Sequence, residues 1–287
     1  MKAAYLSTIQ DHFLSQEAFE LDWEPNGRWA QTQFPKTKKI AQYYKTEDYI
    51  SHQQKSGSWY NRLYGSIQSF MFSYKWKHLE QHLPQKASVL DYGCGTGDFL
   101  SFVHSKGNQA YGLEPNEHAS AIAQSKGIQL YNGIDQIPED SLDCISLWHV
   151  LEHISDPAAL LTQLQSKLKS DGILVVALPN FESWDAKHYK EYWAAWDVPR
   201  HLWHFSKDGF KDWSTAQGYS TRDCFPLWFD ALYVSLLSEK YRQRPFPWLF
   251  AALKGIYSNF VAQESGNYSS HFFILKPTLV GVTIEST

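Results

Sequence analysis

Three groups of residues have the types and spacing to do chemistry. The first is Asp91-Tyr92-Gly93-Cys94-Gly95-Thr96-Gly97, followed 17 residues after Gly97 by Glu114. Glycines between a strand and a helix let the backbone turn tightly and approach a ligand, and the helix N-terminus favours a negative group. An acid at the end of the next strand can take both hydroxyls of a ribose with its two oxygens. The second group is His149-x-x-Glu152-His153, whose spacing brings three side chains together at a helix start. The third is His201 and His204 in Pro199-Arg200-His201-Leu202-Trp203-His204-Phe205-Ser206. Histidine titrates near neutrality, so His149, His201 or His204 could remove a proton from a hydroxyl. The alternative for each is to order a loop through hydrogen bonds. The glycine spacing is G-x-G-x-G, and Asp98 stands where G-x-G-x-x-G needs its last glycine, which counts against a pyrophosphate-binding dehydrogenase.

These groups need elements to hold them. Ser88 to Tyr92 reads as a buried strand, with a helix from Gly97 to Lys106 after the glycines. Ala110 to Leu113, Ile128 to Tyr131 and Leu142 to Trp148 read as further strands, and Glu117 to Lys126 as a helix. Asp156-Pro157 opens another helix, with Asp at N-cap and Pro at N1. Leu160, Leu161, Leu164 and Leu168 mark its buried face, Asp171-Gly172 closes it, and Ile173 to Leu178 is a fully apolar strand. This alternation predicts an α/β fold with a parallel sheet covered on both faces. In the flanks, a helix is expected from Trp59 to Leu83 and a strand from Ser270 to Leu275.

Val89-Leu90-Asp91-Tyr92-Gly93-Cys94-Gly95-Thr96-Gly97 resembles motif I of class I S-adenosylmethionine (SAM) dependent methyltransferases. Gly112-Leu113-Glu114-Pro115 resembles the motif after it. Asp143 to Ile154 resembles the fourth-strand motif of a branch that includes ubiquinone-pathway O-methyltransferases, and Asp171-Gly172-Ile173-Leu174 the fifth-strand motif. The resemblance implies a Rossmann-like, doubly wound, mostly parallel seven-stranded sheet with an antiparallel closing strand, an N-terminal extension and a helical cap. It implies methyl transfer from SAM, with S-adenosylhomocysteine as product. Asp91, Gly93, Gly95 and Gly97 would hold the amino-acid end of SAM and Glu114 the ribose, with Pro115, Trp148 and His149 completing the contacts. The family's adenine-binding acid falls on Gly133, so Asp135 or a backbone group is expected to substitute. The branch favours a hydroxyl acceptor. A SAM-fold scaffold without turnover and, behind it, an NAD-dependent dehydrogenase are the alternatives.

Alone, H-x-x-E-H is the inverted zinc-protease pattern, but the methyltransferase motif already accounts for the segment. Some relatives carry Glu-x-x-Glu-His here and hold a divalent cation with it and a later His; this chain has His149 in place of the first Glu. The expectation is that Glu152 and His153 tie the helix start to a neighbouring loop, and no metal site is assigned. The stretches Asp11 to Leu21, Tyr43-Tyr44, Asp48-Tyr49-Ile50-Ser51-His52 and Phe229 to Tyr241 resemble a bacterial group with an N-terminal zinc knuckle. The knuckle's cysteines are absent from Trp23-Glu24-Pro25-Asn26-Gly27, where a turn with Trp23 packed inward is expected instead.

The chain has 287 residues, is 43% hydrophobic and 16% aromatic, and has a net charge of -4. That excludes disorder and a generic nucleic-acid binder. Residues 1–86 are expected to form the extension, 87–180 the SAM-binding core and 181–287 the cap and closing strands of the same domain. Charge follows that division: +3 in the extension (11 basic, 8 acidic), -7 in the core (4 and 11) and zero in the cap (11 of each). Met1 to Glu20 lacks an apolar h-region, no stretch suggests a membrane span, and Cys94, Cys144 and Cys224 describe no disulfide framework. A cytoplasmic enzyme acting on a small molecule is expected, with nucleic acid disfavoured and oligomeric state open. Eleven of the twelve Trp lie outside 87–180. That points to an apolar or ring-binding acceptor pocket in the flanks, although packing between flanks and core would give the same distribution.

Overall fold

The computed structural model describes residues 6–35, 38–44 and 58–278, with side chains of its first α-helix described from Gly65 onward. The Asp48–His52 string lies outside the described residues. In chain order the elements are β1 (Thr8–Gln10), β2 (Ala18–Trp23), β3 (Trp29–Thr32), α1 (Ser58–Leu79), β4 (Ser88–Tyr92), α2 (Asp98–Ser105), β5 (Gln109–Leu113), α3 (Glu117–Ser125), β6 (Gln129–Tyr131) and β7 (Leu142–Trp148). Then follow α4 (Pro157–Gln165), β8 (Leu168–Pro179), α5 (Trp184–Tyr189), β9 (Trp203–Phe205), α6 (Lys207–Ala216), β10 (Tyr219–Pro226), α7 (Trp228–Tyr241), α8 (Pro247–Ser265) and β11 (Ser270–Pro277).

Seven strands form the main sheet in the order β10-β11-β8-β7-β4-β5-β6. β8, β7, β4, β5 and β6 are parallel, and β11 runs antiparallel between β8 and β10. Burial alternates along the strands by face. Leu90, Ile145, Leu147, Leu174 and Val176 pack with Leu161 and Leu164 of α4 and Trp213 of α6. Val89, Cys144, Val175 and Ala177 pack with Trp76 and Leu79 of α1 and Val103 of α2. Helices therefore cover both faces, as the apolar strands require. The order reverses beside β4, so the glycine loop opens at the switch point where such sheets bind ligands.

Two local expectations are corrected. Asp156 caps α4 as expected, accepting from Ala159 N at 3.0 Å, but the helix stops at Gln165. Leu168 and the Asp171-Gly172 pair lie within the long strand β8, because Leu168 pairs with Leu142 of β7. The extension is not a knuckle-like turn with helices alone. β1, β2 and β3 form a meander that β9 completes, in the order β1-β2-β3-β9. In β2, Phe19 and Leu21 point inward and Glu20 and Asp22 outward, the half-buried pattern of an antiparallel sheet. Gly27 N donates to the Glu24 carbonyl at 2.7 Å to close the β2–β3 turn.

Trp23 is half-buried, edge-on to Phe181 and Trp196, with its Nε1 donating to the Leu6 carbonyl at 2.7 Å. Phe181, Trp193 and Trp196 join Ile9, Phe19 and Tyr43 in a second core between extension and cap. Part of the aromatic excess is thus consumed in packing.

Candidate active site

β4 ends at Tyr92 and the chain turns through the glycines into α2. Gly93 has φ +76°, and a β-carbon there would meet the Val150 side chain at 2.7 Å; a bare backbone lets this loop close on the turn after β7. Gly95 has φ +54° and open space where its side chain would project. Its N–H donates to Glu114 Oε2 at 2.8 Å, and Asn116 N–H donates to Oε1 at 2.8 Å. Glu114 therefore braces the loop, and each oxygen keeps capacity for a ligand hydroxyl. Asp98, in the first turn of α2, accepts from Thr96 Oγ1 and pairs with Lys126 Nζ at 2.8 Å. A carboxylate there opposes a pyrophosphate. At the end of β6, the Asp135 carboxylate occupies the space a β-carbon on Gly133 would take.

Register delivers the next pair. Asp91 of β4 stands opposite Ser146 of β7, whose Oγ donates to Asp91 Oδ1 at 2.6 Å. Burial pushes the Asp91 carboxyl up to about 7, against the pull of Ser146 and Lys75. Lys75, from α1, lies with Nζ 3.8 Å from the centroid of the Trp148 ring and 5.9 Å from that of Phe99. Burial lowers its pKa to about 8, opposed by Asp230 and Asp91. The Trp148 indole nitrogen is buried without a hydrogen-bond partner. Beyond Glu114 and exposed Pro115, the site therefore holds a buried acid and a half-buried amine, each with its charged form disfavoured by desolvation.

The histidines separate into three roles. His149, at φ +56°, sets Nδ1 3.3 Å from Glu152 Oε1 and Nε2 3.0 Å from Asp230 Oδ2. Burial opposes its charge, but the two carboxylates outweigh it and raise the pKa to about 10. With both ring nitrogens facing carboxylates, His149 is better placed to hold Glu152 and Asp230 as an imidazolium than to act as a general base. His204 is engaged elsewhere: its Nε2 lies 2.8 Å from Thr32 Oγ1, whose hydroxyl donates to the His201 carbonyl at 2.8 Å. Burial on β9 holds His204 neutral, as a pin between β9 and β3. His201 differs. Its Nδ1 donates to the Ala195 carbonyl at 2.9 Å, which leaves Nε2 with a lone pair, and burial lowers its pKa.

His153 is oriented the same way, with Nδ1 donating to the Arg200 carbonyl at 3.0 Å; burial lowers its pKa to about 4. Glu152 Oε2 is buried without a partner. Glu152, His153 and His201 bring one potential ligand atom each within 4.8 Å of one another. Glu152 and His153 do tie this turn to the neighbouring loop, since Leu202 N donates to the Glu152 carbonyl at 2.7 Å.

A cavity of about 400 Å³ adjoins this cluster. His153, His201 and Asp230 form part of its polar side, and Phe13, Tyr233, Val234, Leu237 and Tyr241 much of its apolar wall. Arg200 holds the wall together. Buried to 1% exposure, it bonds Asp197 Oδ1 at 2.7 Å and Asp11 Oδ1 at 2.9 Å, and stacks on Phe13. Lys75, Asp230 and Phe13 were not singled out from the sequence. Each reaches the site from an element distant in the chain; Phe13 and Asp230 lie in stretches that resemble the knuckle group but imply no role for them, and no motif marks Lys75.

The family model described as a methyltransferase domain matches residues 67–223, more than half of the 287. The chain belongs to that family: it is a class I SAM-dependent methyltransferase. A ubiquinone biosynthesis O-methyltransferase of Rhodopseudomonas palustris is 29% identical over 100 residues, 32% of this chain and 40% of the relative. A tRNA U34 carboxymethyltransferase of Idiomarina loihiensis is 30% identical over 118 residues, 36% of each chain. The chain thus spans well under half the length of these curated relatives. Among solved structures, a methyltransferase of Galdieria sulphuraria has a TM-score of 0.51 at 15% identity, covering 76% of this chain and 88% of that one. That likeness shows the fold.

Proposed function

We propose that the chain methylates a hydroxyl on a small, apolar or ring-containing acceptor bound in the 400 Å³ cavity. The observation that carries this is His201, a residue of the cavity's polar side whose Nε2 keeps its lone pair, facing a wall built largely of aromatic and aliphatic side chains. SAM, when bound, supplies an electrophilic methyl on a sulfonium for in-line displacement. The residues present fit it. Asp91 suits the ammonium of an amino-acid group and Lys75 its carboxylate, because desolvation disfavours the charge of each and an opposite charge would offset that cost. Glu114 would hold the ribose hydroxyls, and Asp135 the adenine amine in place of the acid missing at Gly133.

On the acceptor side, the apolar wall would exclude water and orient the ring, and His201 would take the hydroxyl proton as the bond to carbon forms. The His149 imidazolium would fix Glu152 and Asp230 between cofactor and acceptor. Residues 1–86 and 181–287 would serve mainly to build this wall around the core at 87–180. The name of the Rhodopseudomonas relative supports an oxygen acceptor, and that of the Idiomarina relative leaves tRNA open. The net charge of -4 disfavours tRNA.

Incubation with methyl-labelled SAM and separate panels of phenolic small molecules and tRNA tests this. Label should enter a phenolic acceptor. His201→Gln should reduce turnover by about 10²–10⁴-fold with S-adenosylhomocysteine binding retained. Label in tRNA alone, or cofactor binding without transfer to either panel, would overturn it.

A second reading is favoured by the partnerless Glu152 Oε2. With the two lone-pair nitrogens of His153 and His201 it suits a divalent cation, each imidazole being oriented by a backbone carbonyl. Calorimetric titration with Mn²⁺ or Zn²⁺ should then show binding that His153→Ala abolishes. No heat from either ion would remove the reading.

A further inference from the structure

The outer face of α8 is apolar where a surface helix is ordinarily polar. Ala251, Gly255, Ser258 and Ala262 are its buried residues, and α7 packs closely on Gly255. On the opposite side Leu249, Leu253, Ile256 and Phe260 recur at steps of four, three and four residues, 44%, 59%, 63% and 67% exposed. Trp248 and Tyr257, also exposed, flank this stripe. At roughly 100 Å² per side chain, the six present on the order of 600 Å², at the upper end of what single chains leave uncovered.

Charge identifies what covers it. From Lys240 to Ser265, the end of α8, there are four basic residues, Lys240, Arg242, Arg244 and Lys254, and one acid, Glu264, in a chain whose net charge is -4. Arg244 lies over the Phe250 ring of α8, and Lys254 is on the helix itself. A two-fold dimer through this face would set four cations against their copies, with Glu264 alone to answer them. An anionic surface meets both the cations and the apolar stripe. Leucine, phenylalanine and tryptophan on one face, with lysine and arginine alongside, suit a helix lying in a bilayer interface. No helix among the described residues is long and apolar enough to cross a membrane.

We propose that α8 docks this chain onto an anionic lipid bilayer, with Leu249, Leu253, Ile256 and Phe260 inserted among the acyl chains and the Lys240–Lys254 cations at the headgroups. α7, which packs against α8, supplies Val234 and Leu237 to the acceptor cavity. Docking therefore sets the cavity about one helix diameter, ~10 Å, from the surface. The inference does not depend on which acceptor the cavity takes.

Flotation of the full chain with vesicles tests it, using phosphatidylcholine alone and phosphatidylcholine mixed equally with phosphatidylglycerol. The chain should float with the mixed vesicles and much less with the neutral ones. A Leu253→Glu, Phe260→Glu double variant should lower binding at least about tenfold. Arg244→Gln and Lys254→Gln should each lower it about fivefold, and salt should weaken it further. Retained S-adenosylhomocysteine binding would show that the variants fold. Wild-type protein that does not float, or floats equally well in the double variant, would overturn the proposal. So would a dimer in sedimentation velocity that the double variant dissociates, since the face would then belong to a second copy.

Discussion

Glu114 Oε2 lies 2.8 Å from the Gly95 nitrogen, so the acid that ends β5 braces the glycine loop that follows β4. Cofactor binding and loop geometry are linked through this one carboxylate. Glu114→Ala should weaken S-adenosylhomocysteine binding by about 1.5–3 kcal/mol, the scale of hydrogen bonds to a charged group. Calorimetry reads this directly, and unchanged affinity would refute the role.

Binding should also be linked to protons. The free chain holds Asp91 at about 7 and Lys75 at about 8, whereas the amino-acid group of the ligand favours carboxylate and ammonium. Affinity should therefore rise as pH rises through the Asp91 value and fall as pH rises through the Lys75 value. Titrations in buffers of different ionisation enthalpy should show proton release on binding below the first value and uptake above the second. Binding without proton exchange across that range would contradict the assignment.

Arg200 is a stability determinant that supports the acceptor wall. It is buried between Asp11 and Asp197, so Arg200→Ala leaves one buried and one half-buried carboxylate uncompensated and should cost about 3–5 kcal/mol in denaturant unfolding. A loss within the range of ordinary surface substitutions would show that the network contributes little.

Acid sensitivity should come partly from His271 on β11. Its Nε2 donates to the Gly266 carbonyl at 3.1 Å and its Nδ1 is buried without a partner. Burial therefore depresses its pKa from 6.5 to about 4. Below 6.5 the unfolded chain takes up a proton the native state refuses, so this contribution is lost as pH falls toward 4. His271→Phe should flatten the stability profile in that window by about 1.4 kcal/mol per pH unit. An unchanged slope measured by urea unfolding would exclude His271 as the source.

The sheet was legible because buried parallel strands read as short apolar runs, and the glycine loop because its backbone demands are local. Leu168 misled because a leucine spaced as in a helix also suits a strand, and only pairing with β7 decides between them. The β1–β3 meander was missed because its strands are short and its fourth member, β9, comes from the far side of the chain. His149, His201 and His204 could be named but not distinguished. Their charge states depend on Asp230, on the Ala195 carbonyl and on Thr32, which the fold brings from elsewhere. Lys75 was invisible for the same reason, since its partners are a ring from β7 and an acid from β4.

Whether this site is built for the amino-acid end of SAM is tested most directly at Lys75. Affinities of wild type and Lys75→Met should be compared for S-adenosylhomocysteine and for 5′-methylthioadenosine, which lacks the amino-acid group. The substitution should weaken S-adenosylhomocysteine by about 10–150-fold and leave 5′-methylthioadenosine nearly unchanged. Equal losses for both ligands, or none for either, would contradict it.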